Sequence, residues 1–350
     1  MSGKKKNTIL VTGGAGYIGS HTAVALFEQG YRVVIADNLC NSHRFILDRI
    51  AEVSGEIPVF YQIDLCDKAA LEEVFRKETD IVASIHFAAL KAVGESVEKP
   101  LLYYRNNLVS LMNLLEVQHA FGVKNLVFSS SCTVYGEPDE LPVTESASIK
   151  PAVSPYGNTK QIGEEIIADF ANQNEIKGIA LRYFNPVGAH QSGLIGELPN
   201  GVPNNLVPFI TQTAIGKHDH LNVYGNDYNT PDGTCIRDYI HVVDLASAHV
   251  AALNRLLHHE DAPCFEVFNI GTGKGFSVLE VIKAFERASG RTLPYQIQGR
   301  RPGDIEKVYA DTALSNQILQ WKAHRSLDDM MSSAWAWEQK LKHNPCQNER

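Results

Sequence analysis

Leu10-Val11-Thr12-Gly13-Gly14-Ala15-Gly16-Tyr17-Ile18-Gly19 passes from an apolar run through a cluster of glycines into a helix-period segment. The run at 8–12 predicts a strand, and residues 17–29 predict a helix. Gly14, Gly16 and Gly19 satisfy G-x-G-x-x-G, and Gly13, Gly16 and Gly19 give the G-x-x-G-x-x-G variant. Glycines at a strand-to-helix turn let backbone N–H groups approach a pyrophosphate at the positive end of the helix. A dinucleotide site is the expectation, and the next acidic strand end supports it. Asp37 stands there, eighteen positions after Gly19. A carboxylate at that point accepts hydrogen bonds from an adenosine ribose and repels a 2′-phosphate, so NAD is favoured over NADP. A turn aspartate beside Asn38 is the plainer use of the same residue. Asp64, at the end of the third predicted strand, either reaches the adenine or caps the helix that follows.

The strand–helix pattern repeats outward from this loop. Predicted strands at 8–12, 32–36, 59–63, 81–87, 125–130 and 178–183 alternate with helix-period segments such as 17–29 and 101–121. That alternation predicts an α/β chain with a Rossmann-like, doubly wound parallel sheet, whose ligands bind beyond the carboxyl ends of the strands. After about Gly188 longer loops take over, with helices expected at 205–216, 243–257 and 278–289 and a strand at 265–270. The expected organisation is a dinucleotide-binding domain over residues 1–187, to which later segments return, and a smaller interleaved substrate lobe over 188–350.

Composition narrows the partners. The 350 residues carry a formal net charge of −8, which argues against a nucleic-acid partner. No apolar run approaches the roughly 18 residues that span a bilayer, so no membrane partner is expected. Lys4-Lys5-Lys6 reads as a solvated tail, and the polar stretch 342–350 as a disordered one. Six scattered cysteines, none in a Cys-x-x-Cys pair, argue against a disulfide framework or structural zinc and for the reducing cytoplasm. His218 and His220 flank Asp219, but nothing nearby completes a metal site; solvated loop histidines are expected.

The chemistry concentrates in Ser154-Pro155-Tyr156-Gly157-Asn158-Thr159-Lys160. Ser154 and Pro155 suit the cap and first turn of a helix, which puts Tyr156 and Lys160 on one face. A cation about 4 Å from a phenol contributes roughly 4 kcal/mol at an effective dielectric of 20, and it favours the phenolate. Tyr156 is thus equipped as an acid and base. Ser129-Ser130-Ser131-Cys132-Thr133-Val134-Tyr135 follows the fifth strand. Ser131 reads as a hydrogen-bond relay between a substrate hydroxyl and the phenol, against the plainer role of capping backbone groups. No base partners Cys132, so packing is its expected role.

These residues resemble the extended short-chain dehydrogenase/reductase family, and the resemblance covers nearly the whole chain. It is carried by the glycine loop, Leu90-Lys91-Ala92-Val93-Gly94-Glu95-Ser96, Ser131-Cys132-Thr133-Val134-Tyr135-Gly136, Arg182-Tyr183-Phe184-Asn185-Pro186, Pro203-Asn204-Asn205-Leu206 and Arg237-Asp238-Tyr239-Ile240-His241. Within the family it is strongest toward the branch that inverts carbon 4 of UDP-hexoses.

The resemblance implies tightly bound NAD, oxidation of the sugar to a 4-keto intermediate, and return of the hydride to its other face. It implies Tyr156, Lys160 and Ser131 as the catalytic set. For the cofactor it implies the glycine loop with Tyr17 and Ile18, then Asp37, Asn38, Asn41 and Ser42, and Asp64 with Leu65. Phe87, Ala88, Ala89, Lys91, Asn107 and Tyr183, with Tyr156 and Lys160, complete that pocket. For the UDP-sugar it implies Lys91, Ser131, Thr133 and Tyr156, then Phe184, Asn185, Asn204, Asn205 and Leu206. Asn222, Val223, Tyr224, Arg237, Arg301, Asp304 and Val308 follow. Two guanidiniums suit a diphosphate. Val308, in Arg300-Arg301-Pro302-Gly303-Asp304-Ile305-Glu306-Lys307-Val308, falls where some relatives carry a bulky tyrosine. Its small side chain implies acceptance of N-acetylated sugars, with core packing as the rival use. A homodimer through the helices at 101–121 and 156–174 is also implied. The rival readings are a nucleotide-sugar dehydratase or decarboxylase and a non-catalytic NAD sensor. A dehydratase needs carboxylates after the threonine, and Thr133 is followed by Val134.

Overall fold

The computed structural model describes residues 6–259, 261–301 and 304–343. In chain order the elements begin β1 (Thr8–Thr12), α1 (Tyr17–Glu28), β2 (Arg32–Asp37), α2 (Phe45–Ser54), β3 (Val59–Gln62), α3 (Lys68–Lys77) and β4 (Ile81–His86). They continue α4 (Val93–Glu98), α5 (Pro100–Ala120), β5 (Asn125–Ser129), α6 (Pro155–Asn174), β6 (Lys177–Tyr183), β7 (Asn185–Val187), α7 (Leu206–Ala214), β8 (Leu221–Tyr224) and β9 (Ile236–His241). The last are α8 (Val242–His258), β10 (Phe265–Ile270), β11 (Gly275–Ser277), α9 (Val278–Ser289), β12 (Tyr295–Gln298), β13 (Lys307–Val308), α10 (Ala313–Ile318) and α11 (Leu327–His343). No helix among the described residues is long and apolar enough to cross a membrane.

Seven strands form the central sheet in the order β10-β6-β5-β4-β1-β2-β3. The pairings from β3 across to β6 are parallel. Ile9, Leu10 and Val11 are all fully buried, as a parallel sheet covered on both faces requires. Leu10 packs with α3, α5 and α6 through Leu71, Phe75, Leu111, Leu114 and Ile167. The strand order reverses between β1 and β4, the switch point at which doubly wound sheets open a crevice for ligands. Predicted and observed strands agree to within a residue at their ends. The clearest shift is at β5, which stops at Ser129 because the Ser130 N–H turns back to donate to the Phe128 carbonyl at 3.0 Å.

The chain divides into two compact units. The first combines residues up to Gly136 with Ile149–Arg182 and Ala246–Phe268; the second combines Glu137–Ser148, Tyr183–Leu245 and the residues from Asn269 onward. In the second unit β9 pairs antiparallel with β11 and parallel with β13 and β7. α7, α9 and α11 bury Ile210, Phe285, Met331 and Trp335 around it. α9 has a full capping box of Ser277 and Glu280 and ends at Gly290 in the left-handed region. Asp238, fully buried on β9, accepts from the Thr272 N–H and hydroxyl and from the Gly273 and Ala310 N–H groups. Burial pushes its carboxyl upward, against those four donors. Asp238 is therefore a structural clamp within the Arg237–His241 motif.

Three sequence expectations need correction. Asp67, not Asp64, caps α3, accepting from the Ala70 N–H at 3.1 Å. Asp64 instead closes a turn on the Cys66 N–H at 2.8 Å, because it lies one turn too early to reach the helix end. His218 is not a freely solvated loop residue, since it stacks on Phe209 at 4.4 Å and hydrogen-bonds Gln212. Lys342 belongs to α11, and Lys4, Lys5 and the stretch 344–350 lie outside the described residues.

Candidate active site

The site in the first unit starts at the glycine loop. Gly13 has φ +69°, and a Cβ there would lie 2.7 Å from the Ala88 nitrogen, so only glycine lets β1 and β4 end this close together. A Cβ on Gly19 would lie 2.4 Å from the Gly13 carbonyl oxygen. Gly16 caps α1 without a side chain, so Tyr17 and Ile18 enter the first turn with no acidic neighbour. This leaves helix N–H groups for an anion, as a pyrophosphate requires. Asp37 is buried at the end of β2. It accepts from the Ala15 N–H (3.1 Å), the Leu39 N–H (2.9 Å) and the Ser42 hydroxyl (2.9 Å). The same carboxylate therefore fixes both the glycine loop and the loop after β2, which holds Asn38 and Asn41. Leu39 sits in the left-handed region at φ 60° to allow this.

Phe87, Ala88 and Ala89 follow β4 and are half-buried, and Leu65 is buried after β3. Lys91 is exposed. Asn107 is buried on α5. Its carboxamide is taken up by the Leu90 N–H and carbonyl and by the Thr159 hydroxyl, which in turn donates to the Tyr156 carbonyl at 2.7 Å. Asn107 thus ties the Ala89–Lys91 segment to the helix bearing Tyr156.

That helix, α6, is capped by Ser154, which accepts from the Gly157 N–H, with Pro155 at its first position. Tyr156 and Lys160 are both buried. The Lys160 ammonium donates to the Ser129 carbonyl at 2.6 Å. It also lies 4.8 Å from the Phe128 ring centre and 5.9 Å from that of Tyr156. Burial pulls the ammonium down to about 8, while Glu164 works to keep its charge. Ser131 caps the 3-10 turn Cys132–Tyr135, accepting from the Thr133 N–H (3.2 Å) and hydroxyl (3.0 Å). The capping use does not exclude the expected relay, because a hydroxyl that accepts keeps its own proton to donate.

The second unit gathers a different set. Arg301 forms a bidentate pair with Asp304, both contacts 3.0 Å, and lies over the Tyr224 ring. Arg237 stands 3.9 Å from the same carboxylate. Two guanidiniums around one carboxylate leave a net positive cluster suited to a diphosphate. Asn222, Val223 and Tyr224 lie on β8, and Asn222 accepts from Gln298. Tyr183 ends β6, Phe184 is buried, and Asn185 opens β7. Asn204 is exposed, and Asn205, also exposed, precedes Leu206 at the start of α7 and donates to Glu197. Val308 is buried on β13 opposite Arg237.

The model of the NAD dependent epimerase/dehydratase family matches residues 9–271. The chain belongs to that family. It is 55% identical to UDP-glucose 4-epimerase 2 of Arabidopsis thaliana, over 94% of each chain. Among solved structures, a Stenotrophomonas maltophila UDP-glucose 4-epimerase with bound NAD and formylated UDP-arabinopyranose superposes with a TM-score of 0.93. It is 47% identical, and the match covers 96% of this chain and 99% of that one. A Bifidobacterium longum UDP-glucose 4-epimerase in complex with NAD+ and UDP gives a TM-score of 0.90 at 48% identity, covering 97% and 99%.

Sequence reasoning missed the buried residues that pack behind Lys160. Glu164, one turn further along α6, is buried and forked by Arg182 of β6, at 3.0 Å and 2.5 Å. The signal was present as a four-residue period, Tyr156, Lys160, Glu164, on one helix face. His86, at the end of β4, is buried with Nδ1 2.8 Å from the Thr12 hydroxyl. Burial, and secondarily the Lys160 charge, hold it down at about 3. Its folded value is depressed, so below about pH 6.5 the unfolded chain takes up a proton that the folded one refuses, and stability falls with pH. Between pH 6.5 and 5 this group should cost about 2 kcal/mol, at roughly 1.4 kcal/mol per pH unit. Guanidinium unfolding of His86→Asn should show a correspondingly flatter pH dependence over that window; slopes identical to the parent chain would reject the assignment.

Proposed function

We propose that this chain reversibly inverts carbon 4 of UDP-hexoses, with NAD as resident cofactor. The observation that carries the reading is the buried Tyr156–Lys160 pair, whose ammonium rests on the Ser129 carbonyl two residues before Ser131, on a glycine-cradled α/β frame. The relatives' names and the NAD and UDP ligands in their structures support it. NAD fits the residues present: the glycine loop and uncapped α1 would hold the pyrophosphate, Asp37 the adenosine ribose and Lys160 the other ribose. Bound there, NAD supplies the hydride acceptor and donor.

Tyr156 removes the proton of the sugar 4-hydroxyl, with Ser131 relaying it, and returns it after the sugar presents its other face. The Lys160 ammonium favours the phenolate that this requires. Firm nucleotide anchoring by Asn205, Arg237 and Arg301, with a loosely held hexose, permits the turn between faces. The turn Cys132–Tyr135 carries no carboxylate, which disfavours a dehydratase, and a sensor needs no buried acid–base pair. The free thiols of Cys40, Cys66, Cys132, Cys235 and Cys264 fit the reducing cytoplasm expected from the sequence.

Purified protein given UDP-galactose without added cofactor should form UDP-glucose. Tyr156→Phe should lose at least about 100-fold in kcat while binding UDP normally; full activity in the variant would refute the assignment. The small side chain of Val308 supports acceptance of an acetamide, so UDP-N-acetylgalactosamine should also turn over. Val308→Tyr should then lose at least about tenfold in kcat/KM on the acetylated substrate relative to the plain one, and an equal effect on both would sink the idea. A homodimer is the matching assembly, supported by exposed Val93, Val97, Leu101 and Leu102 on α4 and α5. Sedimentation should give twice the chain mass, and Leu101→Asp should shift it toward the monomer; a parent chain that sediments as a monomer would reject the dimer.

A further inference from the structure

The three serines that follow Phe128 carry three different tasks, and the middle one is not explained by the reaction. The Ser129 carbonyl accepts from the Lys160 ammonium at 2.6 Å. Ser131 presents the relay hydroxyl and caps the 3-10 turn. Ser130, fully buried between them, donates its hydroxyl to the Glu164 carboxylate. Its N–H closes the tight turn on the Phe128 carbonyl, at which the chain leaves the strand. The neighbouring strand supplies Arg182, the residue after Leu181, which pairs with Ser129 in the β5–β6 register. Arg182 forks Glu164 and lies 4.8 Å from the Tyr135 ring centre, on the 3-10 turn. One carboxylate therefore ties the end of β5, the end of β6 and α6 together behind Ser131.

We propose that Glu164 is a positioning residue which, through Ser130 and Arg182, sets the carbonyl seat of Lys160 and the aim of the Ser131 hydroxyl. The proposal rests on the acid–base reading of Tyr156 given above. A carboxylate so deep needs compensation, and the fork from Arg182 provides it. Burial works against the guanidinium's charge, and Glu164 more than offsets this, raising Arg182 above its ordinary value. Glu164 also acts on Lys160 directly through its charge. Lys160 is faced by Tyr156 and Glu164 from its own helix, by His86 from β4 and by the Ser129 carbonyl from β5. Arg182, from β6, is engaged by Glu164.

Two variants test this. Ser130→Ala cuts the tie and leaves the Glu164–Arg182 pair intact, so the fold should persist with nearly unchanged thermal unfolding. Its kcat on UDP-galactose should fall roughly tenfold with KM within about twofold, because an interaction needed for the reacting geometry is lost rather than one for substrate binding. NAD affinity, titrated on nucleotide-stripped protein, should weaken severalfold, while UDP affinity stays unchanged. Glu164→Gln, where it folds, should move the alkaline limb of kcat/KM to lower pH, since Lys160 then gives up its proton sooner. A Ser130→Ala protein matching the active parent in kcat and NAD affinity would overturn the proposal, as would a loss confined to KM. An inactive parent chain that still binds NAD and UDP would instead overturn the functional reading.

Discussion

An ammonium group buried in the first unit is the constraint around which the site is built. Lys160 carries its charge out of water, and burial works against that charge, pulling it down to about 8. The chain answers with a carbonyl at 2.6 Å, the faces of two aromatic rings and a carboxylate one helical turn away. They come from two links of the fold: Ser129 and Phe128 on β5, Tyr156 and Glu164 on α6. The packing of α6 on the sheet is therefore not separable from the chemistry. Were the helix to slide by one turn, the lysine would lose its carbonyl and the glutamate its guanidinium together.

The same economy governs the cofactor end. Gly13 brings β1 and β4 within backbone contact at the switch point, and Asp37 locks the glycine loop to the loop after β2. His86 stands at the end of β4, hydrogen-bonded to Thr12 at the end of β1. A cationic imidazole beside Lys160 would be repelled, so burial and charge both keep His86 neutral. Close approach of two strand ends, the condition for a dinucleotide crevice, thus also creates a histidine that resists protonation.

The sheet was legible because its strands are short apolar runs bounded by glycine and polar turns, and because strand–helix alternation admits few topologies. The Tyr156–Lys160 helix was legible from Ser154 and Pro155. The cap alternative for Asp64 failed because a strand-end aspartate looks the same whether it closes a turn or caps a helix, and Asp67, three residues on, won the cap. For Asn107 the resemblance supplies identity but not orientation, and its carboxamide bonds to Leu90 and Thr159. Glu164 and Arg182 were missed for a different reason. The four-residue period puts Glu164 on the face of Tyr156 and Lys160, but no pattern names its partner Arg182, 18 residues on and on a different element. The short strands of the second unit, such as β7 and β13, are two or three residues long and fall below any pattern's reach.

On the proposed function, the charges of the second unit reconcile firm anchoring with a loosely held substrate. Asp304 already holds Arg301 in a bidentate fork and stands near Arg237. A diphosphate entering this cluster exchanges one anionic partner for another rather than meeting bare guanidiniums. The net gain is a difference, smaller than either pairing alone, while the orientation of both forks is fixed beforehand. Such preorganisation favours register over raw affinity. On the proposed function, which presents one carbon from both faces, register of the nucleotide is the quantity that matters: the hexose would turn while the charges assigned to its carrier stay fixed.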